Sequence, residues 1–199
     1  MRLTIAVLFG SWIVVLAGCF RSPLVHFYSL MPVPTLTEHE TKMVGPRVEV
    51  VVTSFPGYLD NPQMALRRDD GEIVLDEFNR WVEELRRNFE RTVMENLVAR
   101  LDNAAVVVVQ PYEASTAARS VRIEVIQFDI SESGEAILKA RWGVYDGKES
   151  SPPALTLSVF RHAADLTSAQ ARVDALSRTV AAMSDQLAQE IRRDSRGRE

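Results

Sequence analysis

Residues 58–101 read YLDNPQMALRRDDGEIVLDEFNRWVEELRRNFERTVMENLVARL, and this stretch decides the fold. Its first part contains Asp70-Gly71, a pair in which glycine supplies the positive φ that a tight hairpin turn needs. Apolar residues flank the pair on both sides. The pattern therefore predicts a β-hairpin in which Met64–Arg67 folds back on Glu72–Leu75.

The second part of the stretch has the period of a long amphipathic helix, which we expect to begin at Asp76 and to end at Asp102-Asn103. The Asp76 carboxylate suits the free amide groups of a first helical turn. The polar side holds Arg80, Glu83, Glu84, Arg87, Asn88, Glu90 and Arg91. The apolar side, which we expect to pack on a sheet, holds Phe78, Trp81, Val82, Leu85, Phe89, Val93, Leu97, Val98 and Leu101.

The same stretch resembles a known protein family. A tyrosine-leucine-aspartate-x-proline-x-aliphatic run, a hairpin, and a glutamate-phenylalanine-x-arginine-tryptophan run are similar to the ABC-type transport auxiliary lipoproteins, the PqiC-like family. In this chain those residues are Tyr58, Leu59, Asp60, Pro62, Met64, Glu77, Phe78, Arg80 and Trp81. Glu84 stands where the family often has proline, whereas Glu83 and Leu85 keep the pattern. The resemblance implies a lipoprotein that assists an ABC transporter.

The N-terminal residues have the pattern of a bacterial lipoprotein signal. Met1-Arg2 precedes an apolar run over Leu3–Val15, and Leu16-Ala17-Gly18-Cys19 matches a lipobox. The apolar run is shorter than the roughly 20 residues of a membrane-spanning helix. We therefore predict a signal peptide over residues 1–18 and acylation of Cys19, the only cysteine, with palmitate-type chains. The alternative is an uncleaved membrane anchor.

Phe20-Arg21 follow Cys19, and the lack of an aspartate there resembles lipoproteins released to the outer membrane rather than retained at the inner one. We therefore expect an outer-membrane lipoprotein that faces the periplasm. Residues 19–24 would form the acylated tether, residues 25–193 one domain, and residues 194–199 a charged, disordered tail.

The remaining segments alternate between strand patterns and one further helix. Strands are predicted at His26–Leu30, Arg47–Ser54, Ala104–Val109 (a central strand), 121–130 with a bulge at Val125-Ile126, Ala136–Tyr145 and Leu155–Val159. Ser168 should cap a helix whose buried positions are Val173, Leu176, Val180, Met183, Leu187 and Ile191. The fold class predicted is α+β: a two-layer sandwich with a mixed, largely antiparallel sheet of about five to seven strands and two long helices on one face.

Composition argues against several kinds of function. Without Arg2 the chain has 22 basic against 27 acidic residues, near −5, and no basic run is interleaved with aromatics, which excludes a nucleic-acid footprint. His26, His39 and His162 are far apart in sequence, so we expect neither a metal site nor another cofactor. No paired acid, nucleophile elbow or phosphate-binding loop is present, and we expect no enzyme.

Tyr58, Arg80 and Trp81 have two interpretations. In the first, Trp81 anchors the core, Arg80 is a surface charge and Tyr58 covers the hairpin. In the second, the three residues surround a groove that binds a partner segment or a lipid chain, because an aromatic ring with a polar group suits either use.

Three classes of function follow. The resemblance implies a non-catalytic accessory subunit of a trans-envelope lipid transport system, which works beside an ABC transporter and a mammalian-cell-entry (MCE) domain protein. Self-association into a homo-oligomer is a companion expectation. The second class is a structural or assembly lipoprotein of the envelope, and the third is a hydrolase with an atypical site. A neighbouring MCE-domain gene would favour the first class.

Overall fold

The computed structural model describes residues 23–33, 45–101, 104–112, 119–146 and 155–196. Within these ranges eight strands form one sheet, and two helices pack against it. The strands are β1 (His26–Tyr28), β2 (Arg47–Ser54), β3 (Gln63–Arg67), β4 (Ile73–Trp81), β5 (Ala105–Val108), β6 (Arg119–Ser131), β7 (Glu135–Asp146) and β8 (Thr156–Ala163). The helices are α1 (Leu85–Arg100) and α2 (Ala169–Arg196), and a 3-10 turn covers Gly57–Leu59. The α+β prediction is confirmed, but the described sheet has eight strands rather than the predicted five to seven.

The sheet is organised around the long strand β6. Its first half pairs with β2 and its end with β3, both in parallel, while β7 pairs antiparallel along its other side. The resulting order is β1-β4-β3-β6-β2-β5, with β7 and then β8 beyond β6. The two longest ladders, β6–β7 and β7–β8, are antiparallel. Strands β1 and β8 therefore lie at opposite edges of the described sheet.

The structure contains both local features predicted for the sheet, a glycine turn and a β-bulge. Gly71 has φ of 93° in the turn between β3 and β4, and the predicted hairpin is confirmed. The β6–β7 register shifts between Val125 and Gln127, which confirms the predicted bulge. The bulge lets Ile123 and Val125 before it and Phe128 after it all face the core.

The core lies between the sheet and both helices. Leu85, Phe89, Val93 and Leu97 of α1 are buried, and so are all six positions predicted for α2. Phe55, Phe89 and Phe128 meet edge to face, with ring centroids 5.4–6.4 Å apart. The backbone amide of Ala171 donates to the Ser168 hydroxyl at 3.2 Å, so the predicted cap of α2 is present.

The prediction that α1 begins at Asp76 is wrong, because residues 73–81 form strand β4 and the helix begins at Leu85. Asp76 does accept hydrogen bonds from the amides of Phe78 and Asn79, but these close a turn within the irregular strand. Phe78 and Val82, predicted as core residues, are exposed. Pairing of β4 with β1 satisfies backbone groups that a helix would have satisfied internally, so tertiary context decides the conformation.

Three other predictions need correction or extension. Asn88 and Glu90, predicted on the polar side of α1, are buried, because Asn88 binds the N-terminal segment and Glu90 pairs with Arg86. Strand β5 is an edge strand of the described sheet rather than a central one, since β2 is its one neighbour there. Helix α2 continues to Arg196, into the predicted tail, and residues 197–199 lie outside the described residues.

The segment that follows β1 is held between the two helices by buried polar side chains. The amide of Leu30 donates to Asn88 Oδ1 at 2.7 Å, and that of Val33 to Asn96 Oδ1 at 2.8 Å. The backbone amide of Met31 donates to the Ser177 hydroxyl of α2 at 3.1 Å. The start of the domain is therefore fixed to both helices.

Candidate functional site

A cleft opens where β4 passes into α1. It has a volume of about 280 Å³. Its lining consists of Leu59, Asp60, Asn61, Pro62, Trp81, Val82, Glu83, Glu84 and Leu85. The amide of Trp81 donates to the Pro62 carbonyl at 2.7 Å and that of Asp60 to the Gly57 carbonyl at 3.1 Å, so both walls are tied by the backbone.

Trp81, in the wall of the cleft, carries an unpaired hydrogen-bond donor that is itself buried. Trp81 is 4% exposed, and its indole Nε1 has no hydrogen-bond partner among the described residues. A buried indole N–H normally finds an acceptor. Helix α1 begins beside Trp81, and the side chain of its N-cap residue Glu84 makes no capping hydrogen bond. The cleft therefore suits a group that accepts hydrogen bonds.

Carboxylates surround the same cleft. Glu83 accepts from Arg91 at 2.5 Å and from Asn88 at 3.0 Å, and Glu84 pairs with Arg87 at 3.2 Å. Asp60 is exposed on the opposite wall. These charges disfavour an anionic ligand and suit one that combines a neutral acceptor with a basic group, such as a peptide carbonyl beside a lysine or arginine.

Tyr58 lies beside the cleft and fixes one of its walls. Its hydroxyl donates to Asp129 Oδ2 at 2.6 Å, and Arg67 Nε donates to the same oxygen at 2.8 Å. Gln127 Nε2 donates to the other Asp129 oxygen at 2.8 Å, so this buried carboxylate is fully paired. Burial and then the bond to Asp129 raise the pKa of Tyr58 to about 12. The network holds the 3-10 turn, and so the residues after it, against β6.

Arg80 lies away from the cleft. Arg80 pairs with Phe27 across the β1–β4 ladder, whereas its neighbour Trp81 pairs with Tyr28. Successive residues of a strand face opposite sides of the sheet, so Arg80 points away from the core into which Trp81 packs. Its guanidinium contacts Glu77, with Nε donating to the Glu77 carbonyl at 3.1 Å. Of the three predicted binding residues, Trp81 lines the cleft, and Tyr58 and Arg80 do not.

Sequence reasoning missed the groups that support Tyr58. Asp129 stands between the large apolar residues Phe128 and Ile130, and that position was the available signal of a buried, paired acid. Its partner Arg67 lies 62 positions away in the chain, so no local pattern connects them. Cys19 and His39 lie outside the described residues. Within the described ranges no group of acids and histidines is placed to hold a metal ion.

The description "ABC-type transport auxiliary lipoprotein component" belongs to the family whose sequence profile matches residues 28–188. The chain belongs to this family. The match includes the hairpin, the cleft, α1 and most of α2, and the resemblance read from the motif residues is confirmed.

Solved structures share the fold of this family member. One, described as an uncharacterized protein, is 18% identical with a TM-score of 0.63, and the alignment covers 85% of this chain and 99% of the other. A second, from Xanthomonas campestris, is 16% identical with a TM-score of 0.63 over 86% and 99% of the two chains. No curated protein matches. These likenesses show the fold.

Family membership gives the function in outline. The chain is an auxiliary lipoprotein component of ABC-type transport, which places it at a membrane of the cell envelope. The family is one of transport components rather than of enzymes. In the described part of the chain, neither helix has the length and apolarity needed to cross a membrane.

Proposed function

We propose that this lipoprotein is the non-catalytic accessory subunit of an ABC transport system with an MCE-domain partner, and that the system moves lipid across the envelope. Acyl chains on Cys19 would hold it at the outer membrane, facing the periplasm. The observation that carries the proposal is the cleft beside Trp81, whose wall holds a buried, unpaired indole donor in a chain that belongs to a family of transport components.

The cleft would receive an extended segment of the MCE-domain partner. A main-chain carbonyl of that segment would accept from Trp81 Nε1 after a shift of the buried indole, and a basic side chain would lie near Asp60 and Glu84. Tyr58 would act by positioning the wall of the cleft through Asp129. Arg80, on the outer face of β4, lies outside the cleft and would not contact this segment.

Self-association would strengthen this binding. Domains arranged as a homo-oligomer would present several clefts to an oligomeric partner, and the second and later contacts would be intramolecular. A single cleft could then bind weakly while the assembly binds tightly.

Substitution of Trp81 by phenylalanine tests the cleft directly. Trp81→Phe keeps an aromatic ring but removes the unpaired donor, so folding should be retained. Affinity for the periplasmic part of an MCE-domain partner should fall by about 2- to 13-fold, the equivalent of one neutral hydrogen bond. Calorimetric titration of the two proteins measures this change.

Two further variants test the residues beside the cleft. Arg80→Glu, outside the cleft, should leave partner binding unchanged, and Tyr58→Ala tests the wall, each after circular dichroism has shown a folded protein. Arg87→Ala is the matched control on the exposed side of α1 and should bind normally. If the wild-type chain does not bind the MCE-domain protein, the accessory role is wrong and a structural or assembly lipoprotein becomes the better interpretation.

A further inference from the structure

Exposed apolar side chains gather where β1 meets β4. The cluster consists of Leu24, Val25, Phe27, Phe78 and Val82, which we call the β1–β4 patch. Phe27 and Val82 are each 61% exposed, an unusual state for large apolar side chains that are so close to one another. The patch is therefore a candidate contact surface for another molecule.

The strand register places most of this patch on one side of the sheet. Phe27 pairs with Arg80, and Phe78 is two positions before Arg80 in β4, whereas Val25 and Val82 lie one residue beyond the ends of β1 and β4, and Val82 also lines the cleft. Residues two apart in a strand share a face. Trp81 and Tyr28, the next pair in the register, pack on the core, so the patch looks away from the helices.

The position of the predicted lipid anchor in the sequence indicates which surface covers the patch. Leu24 follows the predicted lipid anchor Cys19 by five residues, which span at most about 18 Å when fully extended. The segment after β1 is hydrogen-bonded to both helices, so the domain cannot swing freely on a long linker. Leu24, the first residue of the patch, is thus held within about 18 Å of the acylated cysteine.

The charge within the patch also fits a lipid surface. Arg80 lies among the apolar residues, with its side chain 33% exposed and 3.8 Å from the Glu77 carboxylate. A long cationic side chain can lay its stem on apolar surface and place its guanidinium among anionic headgroups. Phenylalanine and leucine around a basic residue are typical of faces that lie in the membrane interface.

We propose that the β1–β4 patch rests on the bilayer that holds the acyl anchor, with Phe27, Phe78 and Val82 in the interface and Arg80 among the headgroups. This contact would set the orientation of the domain relative to the membrane. It requires the acylated chain but does not depend on an MCE-domain partner.

A second exposed apolar group, Leu155, Leu157 and Val159, provides the internal control. It belongs to β8 and the residue before it, at the opposite edge of the described sheet. A bilayer that contacts the β1 edge should leave this group in water.

Fluorescent labels at single introduced cysteines test the proposal. Full-length acylated protein carrying Phe27→Cys, Val82→Cys or Leu157→Cys would be labelled with an environment-sensitive dye. Each would be reconstituted in vesicles of phosphatidylethanolamine and phosphatidylglycerol, with and without brominated acyl chains. Acylated Cys19 carries no free thiol, so the wild-type protein should take up no label.

We expect blue-shifted emission and quenching by brominated lipid at positions 27 and 82 but not at 157. Trp81→Phe, combined with Val82→Cys, should leave this quenching unchanged, which separates the result from partner binding at the cleft. Equal quenching at all three positions, or at none, would overturn the proposal. A blue shift of the dye emission that depends on the density of protein in the vesicles, rather than on lipid bromination, would also overturn the proposal. In that case a second copy of the protein would cover the patch. Labelling of wild-type Cys19 would remove the anchor on which the argument depends.

Discussion

At the scale of single residues, Asp129 decides how firmly the wall of the cleft is held. The carboxylate is 1% exposed, a position that is costly unless the charge is fully paired. Tyr58, Arg67 and Gln127 supply that pairing. Arg67 also stacks on Tyr58, with its guanidinium carbon 5.1 Å from the ring centroid. A charge held in this way fixes one position of the 3-10 turn.

Tyr58→Phe should lower the free energy of unfolding at neutral pH by roughly 1.5–3 kcal/mol, since it removes a hydrogen bond to a charged group. The pKa of Tyr58 rises from 10.0 unfolded to about 12 folded, so the folded state retains the proton more strongly. This contribution is complete below pH 10 and is lost as the pH rises through 12. The difference between wild type and variant should therefore narrow over that interval in urea titrations.

The matched control for this prediction is Tyr112→Phe. Tyr112 is 85% exposed, so its substitution should leave stability and its pH dependence unchanged. A Tyr58→Phe variant whose deficit stayed constant from neutral pH to pH 12 would show that the hydroxyl does not keep its proton in the folded state.

At the scale of elements, the boundary between β4 and α1 shows what a local pattern can and cannot predict. The hairpin and the β6 bulge follow from Asp70-Gly71 and from a change of apolar phase, both visible within a few residues. Residues 76–82 fit helical spacing, yet Phe78, Arg80 and Val82 also alternate as in a strand. The strand is stabilised by pairing with His26–Tyr28, about 50 positions earlier, which periodicity cannot reveal.

The buried face of α1 was predicted correctly from Leu85 onward, and a pair of substitutions tests it. Leu97 is fully buried, so Leu97→Ala should destabilise the protein by roughly 2–5 kcal/mol. Arg87→Ala should change stability by less than about 0.5 kcal/mol, because its side chain is 77% exposed and its ion pair with Glu84 is on the surface. Chemical denaturation of both variants measures the difference, and equal effects would contradict this helix orientation.

Polar residues on α1 were harder to predict than apolar ones. Asparagine is a common residue on the exposed faces of helices, but Asn88 and Asn96 each accept a hydrogen bond from the backbone of residues 30–33. An asparagine is buried only when a distant segment brings a donor to it. The sequence alone gave no reason to place that segment between the helices.

At the scale of the whole molecule, the parts that were predictable are those fixed by composition and short motifs. Two apolar helices and several alternating strands predict a sheet covered by helices. The order of the strands depends on β6 reaching three neighbours, which requires its full length of 13 residues. The cleft likewise depends on the late start of α1 at Leu85, so its position followed only from the structure.

The lipid anchor connects this fold to its membrane, and its chemistry is open to direct measurement. Leu16-Ala17-Gly18-Cys19 after a short apolar run predicts cleavage before Cys19 and acylation of its thiol and new amino group. Intact mass of protein extracted from membranes should show a chain that begins at Cys19 and carries acyl chains. Cys19→Ser should accumulate as a precursor with its signal attached, because the modified cysteine is what the processing reaction recognises. Wild-type protein from the same cells is the control. A mature wild-type chain found in the soluble periplasmic fraction with a free Cys19 thiol would contradict the prediction, and with it the short tether that holds the β1–β4 patch at the bilayer.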